Sequence, residues 1–162
     1  MKKRTLLMAA TALLAFGPLF GKDDVPRGYD PIADLEKARA EATTKNKLIM
    51  LVVKGRNDDC PYCVTALANG EKAVGSGVVK VFARAEALNT METSAFPPAL
   101  QERVRRKFTT GASVTVLVFN PDMSTLLAEA ARRQLESDRK AIAAFQKQVS
   151  EHKKQLRKEP VS

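Results

Sequence analysis

The stretch LIMLVVKGRNDDCPYCVTALANGEKAVGS, residues 48–76, decides the fold because three different patterns follow one another in it. Its first residues, Leu48–Lys54, are almost all apolar, which predicts a β-strand covered on both faces of its sheet. A short polar loop then leads to Cys60 and Cys63, the two cysteines of the chain. The residues after Cys63 predict a short helix that ends at Gly75–Gly77. The cysteine pair is therefore expected where a buried strand passes into a helix.

Helices and strands alternate on both sides of this stretch. Upstream, Asp30 is the expected N-cap and Pro31 the first residue of a helix that runs to about Lys45. The apolar face of that helix is predicted at Ile32, Leu35, Ala38 and Ala42. Downstream, apolar runs and prolines predict a strand at Val78–Arg84, a helix that begins at Pro97 or Pro98, strands at Ser113–Phe119 and Ser124–Ala130, and a helix from near Ser137 to about Lys158.

This order of elements predicts the fold class. We expect an α/β three-layer sandwich, in which a central mixed sheet of about four strands is flanked by helices and the chain closes with a long C-terminal helix. The 162 residues are enough for one domain with a hydrophobic core, and no repeat or second domain is indicated.

The first 21 residues are predicted to be a signal peptide rather than part of this domain. Lys2, Lys3 and Arg4 precede an uncharged run over residues 5–21, the layout of a secretory signal. That run is shorter than the roughly 20 apolar residues that a membrane-spanning helix needs, and Gly17 and Pro18 interrupt it. We expect cleavage near Gly21, a domain over residues 22–162, and export. Contact with the membrane is expected only if the signal stays uncleaved.

The basic charge of the chain does not indicate a nucleic-acid partner. The formal net charge is +9, from 27 basic and 18 acidic residues. Removal of the signal, with Lys2, Lys3 and Arg4, leaves 24 basic against 18 acidic residues, a net charge of +6. An excess of this size favours solubility and weak attraction to anionic surfaces, but it specifies no nucleic acid.

Export changes what the two cysteines can do, because an exported pair can exist as a disulfide. The start of a helix presents free backbone N–H groups, which favour a thiolate and lower the pKa of the Cys60 thiol below about 8.5. Cys63 comes back to nearly the same helix face, where it can resolve a mixed disulfide formed by Cys60. The ring of Tyr62 is expected on the exposed corner, where a partner chain can contact it.

Other uses of the pair fit less well. Structural zinc needs four ligands, but the chain offers two cysteines and the distant His152. Covalent haem would need a histidine where Val64 stands. A two-cysteine Cu(I) site, assisted by Met50 or Met91, remains an alternative, as does a purely structural disulfide. We predict no metal and no cofactor.

From about Asp30 to Lys158 the chain resembles the thioredoxin-like superfamily, on its KLIMLVV strand, its CPYC at the strand-to-helix junction, its TVLVF strand and its final amphipathic helix. The export signal and the long last helix look more like secreted bacterial thioredoxin-like proteins, which implies a periplasmic or secreted location. The resemblance implies thiol–disulfide exchange with Cys60 as nucleophile and Cys63 as resolving thiol. It also implies exported protein thiols or disulfides as substrates, and a redox partner that resets the pair.

The resemblance also suggests which residues touch a substrate, and where this chain differs. Pro61 and Tyr62 lie between the cysteines, and Ser113 and Val114 stand where the family carries a loop ending in a cis-proline. Because Val114 replaces that proline, we expect a trans Ser113–Val114 bond. Asp59 replaces the aromatic residue that commonly precedes the first cysteine, and it is a candidate helix cap. These departures support the alternative of a non-catalytic binding or adaptor module with a structural disulfide.

Overall fold

The structure is a computed structural model that describes residues 25–56 and 59–158. The predicted signal peptide, residues 1–21, lies outside the described residues. The described chain forms a mixed α/β sheet covered by helices. Its strands are β1 (Asp30–Pro31), β2 (Leu48–Lys54), β3 (Val78–Arg84), β4 (Val114–Phe119) and β5 (Leu126–Ala131). Its α-helices are α1 (Leu35–Thr44), α2 (Pro61–Val74), α3 (Ala85–Thr90), α4 (Pro98–Arg105), α5 (Arg132–Glu136) and α6 (Arg139–Leu156).

The five strands lie in the spatial order β1-β3-β2-β4-β5. Strands β1, β3 and β2 run parallel, whereas β4 is antiparallel to both β2 and β5. The mixed sheet and the long C-terminal helix confirm the sequence prediction in outline. The strand count of about four was wrong, because β1 adds a fifth strand at one edge.

The extra strand replaces the predicted start of the first helix. Asp30 and Pro31 are extended and pair with Val81 and Phe82 of β3, so Asp30 is not a helix N-cap. A 3-10 turn at Ile32–Asp34 follows, and α1 begins only at Leu35. The predicted apolar face is nevertheless correct, since its four residues are all buried: Ile32, Leu35, Ala38 and Ala42.

Strand β2 lies at the centre of the sheet and contributes to two separate apolar cores. Ile49, Leu51 and Val53 pack with α1, α3 and α4 on one face. Leu48, Met50 and Val52 pack on the other face with residues of α2, α5 and α6, among them Leu135, Phe145 and Val149. Complete burial of an aliphatic side chain stabilises the fold by about 1.5–3 kcal/mol, so this alternation fixes the position of β2 firmly. The end of β2 is thus a rigid place from which to start the cysteine loop.

A glycine sets how closely α2 approaches the sheet. Gly70 is buried, and a Cβ atom on it would lie 2.8 Å from Cγ2 of Val116 in β4 and 3.3 Å from Cδ1 of Leu135 in α5. Glycine weakens a helix interior by up to about 1 kcal/mol. Here it permits the close packing that holds the cysteine-bearing helix against the sheet.

No helix within residues 25–56 and 59–158 is both long and apolar enough to cross a membrane.

Candidate redox site

Cys60 and Cys63 form a disulfide at the first turn of α2. Their Cα atoms lie 5.2 Å apart, Cys60 is the N-cap residue, and Pro61 is the first residue of the helix. Proline suits that position because it needs no N–H partner there and its φ is already helical. The predicted placement of the pair, after a buried strand and at the start of a helix, is therefore confirmed.

Backbone N–H groups of the helix start point toward Cys60. The N–H of Cys63 lies 3.2 Å from Cys60 Sγ and also donates to the Cys60 carbonyl oxygen at 3.0 Å. The N–H of Val64 donates to the same carbonyl at 3.2 Å. Such groups stabilise negative charge on a sulfur at this place. The sulfur of Cys60 itself occupies the cap, so the expectation that Asp59 caps α2 was wrong.

The two cysteines are unequally covered, and their neighbours are open to solvent. Cys60 is 6% exposed and Cys63 only 1%. The residues between them are exposed, and the Tyr62 side chain is 63% exposed, as predicted for the corner. Pro61 and Tyr62 therefore form the exposed surface of this corner, and both cysteines are buried beneath it.

The loop that leads into β4, residues 109–113, lies beside the start of the cysteine loop at Gly55. The N–H of Gly55 donates to the Ser113 carbonyl oxygen at 3.0 Å, and the N–H of Arg56 donates to that of Thr110 at 2.9 Å. A Cβ atom on Gly55 would overlap the carbonyl oxygen of Gly111. The absence of a side chain at Gly55 therefore lets the 109–113 loop sit directly on the segment that leads to Cys60.

Ser113 and Val114 end this loop but present very different surfaces. Ser113 is half-buried, and its hydroxyl donates to the Thr109 carbonyl oxygen at 2.5 Å. Val114 is only 1% exposed and belongs to the same apolar cluster as both cysteines. The described residues contain no cis peptide bond, so the Ser113–Val114 bond is trans. The Val114 side chain is therefore not presented on the surface beside the cysteines.

The charged side chains of the site lie at its edge, at the ends of β2 and β3, rather than in its buried part. Lys54 and Arg84 are paired in register at the ends of β2 and β3, and Arg84 donates to the Gly55 carbonyl oxygen at 3.1 Å. No aspartate or glutamate is buried in the part of the chain that the structure describes. Strand β2 contains no acidic residue, so its side chains that pack in the same cluster as the cysteines are apolar.

The residues proposed for a metal do not gather around the cysteines. Within the described ranges, no three or more His, Cys, Asp or Glu side chains are grouped as a metal site. Met50 lies in the apolar cluster that contains the cysteines, but Met91 packs against the cluster on the opposite face of the sheet. His152 lies in α6, where its Nδ1 is 3.2 Å from Gln155 Oε1.

A polar cluster at the edge of the sheet was not predicted from the sequence. The Tyr29 hydroxyl donates to Glu71 Oε1 at 2.7 Å, and Lys80 Nζ donates to the same oxygen at 2.8 Å while lying 5.2 Å from the centre of the Tyr29 ring. Burial, and then the hydrogen bond to Glu71, raises the pKa of Tyr29. Burial alone would raise the pKa of Glu71, but the hydrogen bonds from Lys80 and Tyr29 lower it. The cluster ties the segment before β1 to α2.

No protein family, curated protein or solved structure with which the chain was compared matches it. The chemistry and geometry of the site therefore carry the functional assignment.

Proposed function

We propose that the chain is an exported thiol–disulfide exchange protein with a thioredoxin-like fold, acting through Cys60 and Cys63. The observation that carries this proposal is the disulfide at the start of α2, with its sulfur cap and its exposed Tyr62 corner. A bond that spans only two intervening residues closes too small a loop to stabilise the fold much. Exchange with other thiols explains its place better than structural support does.

The architecture supports the thioredoxin-like part of this proposal. A mixed sheet is covered by helices on both faces, and the CPYC segment follows its central strand. This is the arrangement that the resemblance over residues 30–158 implies. Fold resemblance does not define a reaction rate, whereas the chemistry of the two sulfurs defines which reaction they can perform.

The disulfide can accept electrons from a substrate dithiol in two balanced steps. A substrate thiolate attacks Cys60 Sγ, which forms a mixed disulfide and breaks the Cys60–Cys63 bond, leaving Cys63 as the thiolate. The second substrate thiolate then attacks the substrate sulfur of the mixed disulfide, which forms the substrate disulfide and releases Cys60. Two electrons pass to the cysteine pair, and the two protons of the substrate thiols pass to solvent or to the new thiolates.

The reverse direction uses the same bonds. The Cys60 thiolate attacks a substrate disulfide, and Cys63 then attacks Cys60 Sγ, which releases the reduced substrate and restores the protein disulfide. The N–H of Cys63, aimed at Cys60 Sγ, stabilises charge on that sulfur both when it attacks and when it leaves. A second dithiol–disulfide protein, or the glutathione couple, would reset the pair in either direction.

The second candidate is a binding or adaptor module that keeps the disulfide as a structural bond. The trans bond at Ser113 and the buried side chain of Val114 favour it, because the loop opposite the cysteines lacks the proline of the family. In this case the pair does not turn over, and Tyr62 contacts a partner without exchange.

The reduction potential of the pair separates the two candidates. The mature protein is equilibrated in glutathione buffers and its free thiols are trapped, with insulin reduction as a second assay. A midpoint between about −120 and −270 mV, with loss of insulin reduction in Cys60→Ser, supports exchange. A midpoint below about −300 mV together with no insulin reduction supports the structural bond and contradicts the enzyme.

A further inference from the structure

Helix α2 carries a polar stripe that leads away from the cysteines. Its residues are Tyr62, Thr65, Asn69 and Lys72, which share one side of the helix because their spacings are three, four and three residues. Tyr62, Thr65 and Lys72 are exposed, and Asn69 is half-buried. The Asn69 side-chain amide donates to the Leu135 carbonyl oxygen at 2.7 Å, which holds α5 along one side of this stripe. The stripe is therefore largely exposed to solvent, and α5 lies along one side of it.

A groove of about 590 Å³ lies at the far end of this α2 stripe. Asn69, Lys72 and Ala73 line it from α2, and the α5–α6 junction and the first turns of α6 form the opposite wall. Ile142 and Ala73 give it apolar surface. The groove and Tyr62, the exposed residue next to Cys63, therefore lie at the two ends of one side of α2.

The charge that lines this groove is mainly positive. Lys72 and Arg139 both line it, and neither forms an ion pair with any residue that the structure describes. The carboxylate of Glu136, which also lines the groove, is paired with Arg132 at 3.1 Å. Two cations thus face the groove while its acidic residue is neutralised, which suits an anionic occupant.

The length of the stripe sets the kind of occupant. Lys72 lies ten positions after Tyr62, which at 1.5 Å per helical residue is about 15 Å along the helix. An extended polypeptide covers that distance in about four or five residues, at roughly 3.3 Å each. A peptide whose cysteine reacts at Cys60 therefore places its fourth or fifth neighbour in the groove.

We propose that the groove receives acidic residues of a substrate polypeptide, four or five positions from the cysteine that exchanges with Cys60. This rests on the proposed function and adds a preference among substrates. Tyr62 contacts the residues next to the reacting cysteine, and Lys72 and Arg139 bind the carboxylates beyond them. The substrate class is an exported polypeptide with an acidic segment beside its cysteine.

The test uses three peptides, each with one cysteine joined to glutathione as a mixed disulfide. They carry glutamate, glutamine or lysine at the fourth and fifth positions on both sides of the cysteine and are otherwise identical. The reduced protein releases the peptide thiol and glutathione and becomes oxidised at Cys60–Cys63. We expect the glutamate peptide to react roughly fivefold faster than the lysine peptide at low ionic strength, with a ratio that falls as salt is added.

Two matched variants locate the preference. Arg139→Glu and Lys140→Glu change the net charge equally and lie next to each other at the start of α6, but only Arg139 lines the groove. We expect Arg139→Glu to remove or reverse the preference and Lys140→Glu to keep most of it. Equal effects of the two variants would show that only overall charge matters and would overturn the assignment to the groove.

Further measurements separate failure of this preference from failure of the proposed function. If oxidised glutathione is not reduced, the exchange function fails. If it is reduced but the three peptides react at equal rates, only the groove proposal fails. Versions of the peptides with serine in place of cysteine test the groove without exchange, because the glutamate version should shift the Asn69 side-chain NMR signals of the oxidised protein most. An absence of any such difference would contradict the groove proposal by itself.

Discussion

The side-chain ammonium of Lys153, in α6, lies 2.5 Å from the carbonyl oxygen of Val74, the last residue of α2. It also donates to the carbonyl oxygen of Ser76 at 2.7 Å. The last carbonyl groups of a helix lack partners within the helix and carry partial negative charge. A cation from α6 therefore caps the far end of the helix that begins at Cys60.

We expect Lys153→Met to lower the free energy of unfolding by about 1.5–3 kcal/mol, the range that hydrogen bonds of charged groups contribute. Methionine retains much of the apolar stem, so the change reports mainly on the ammonium group. Urea unfolding of the oxidised protein measures the loss. Lys154→Met is the control. The Lys154 side chain is exposed, so this change removes the same charge but no helix cap. Equal losses in the two variants would contradict a capping role.

Gly55 lies directly at the site, in contact with the 109–113 loop. We expect Gly55→Ala to lower the free energy of unfolding by about 2–3 kcal/mol, because its methyl group would overlap the Gly111 carbonyl oxygen and push the 109–113 loop away. Gly111→Ala is the matched control, since a Cβ atom there meets nothing within 4 Å. Urea unfolding gives the energies, and amide NMR shifts of residues 109–113 report on the loop. A Gly55→Ala variant with unshifted loop amides would show that the loop does not depend on this contact.

The sequence was most informative where one pattern had one structural meaning. Residues 48–54 and 78–84 are apolar runs of strand length, and both strands have the predicted bounds. The pairing of Asp30 and Pro31 with β3 could not be read from the sequence, because a two-residue strand carries no periodicity and depends on residues about 50 positions away. Helices α3 and α5 were missed for a similar reason, as five or six residues are too few to show a helical repeat.

The site was predictable in its position but not in its surroundings. The spacing of Cys60 and Cys63 and the proline between them indicate a helix start. The cap itself was misassigned to Asp59, since Asp is a common N-cap residue and a disulfide sulfur is not. The groove at Lys72 and Arg139 exists only because α6 packs beside α2, and residues 67 positions apart give no local signal.

Tyr29 links the folding energy to alkaline pH. An unfolded tyrosine ionises near pH 10, whereas burial and the hydrogen bond to Glu71 raise the pKa of Tyr29 in the folded chain. Above about pH 10 the unfolded chain therefore loses a proton that the folded chain keeps, and the stability contributed by Tyr29 falls as pH rises. We expect Tyr29→Phe to cost about 1 kcal/mol at neutral pH and to reduce this alkaline loss.

Urea midpoints at about pH 8 and about pH 11 measure the effect on both sides of the tyrosine value. Tyr62→Phe removes an exposed hydroxyl and is the control, so it should keep the wild-type difference between the two pH values. If Tyr29→Phe has the same alkaline loss as the wild type, the Tyr29–Glu71 contact does not contribute to it.

The two sulfurs have different surroundings, so we expect the two thiols to differ in reactivity. In Cys63→Ser the backbone N–H at position 63 remains, 3.2 Å from Cys60 Sγ in the oxidised protein, and the helix start still favours negative charge there. We expect alkylation of Cys60 by iodoacetamide to follow a pKa below about 8.5. In Cys60→Ser the remaining thiol, at Cys63, is 1% exposed within the helix, so it should react more slowly and with a higher midpoint. Rates against pH, followed by mass spectrometry, compare the two variants. Cys60 cannot be the nucleophile if its midpoint reaches that of free cysteine and Cys63 reacts as fast, because the helix start would then give Cys60 no advantage over its partner.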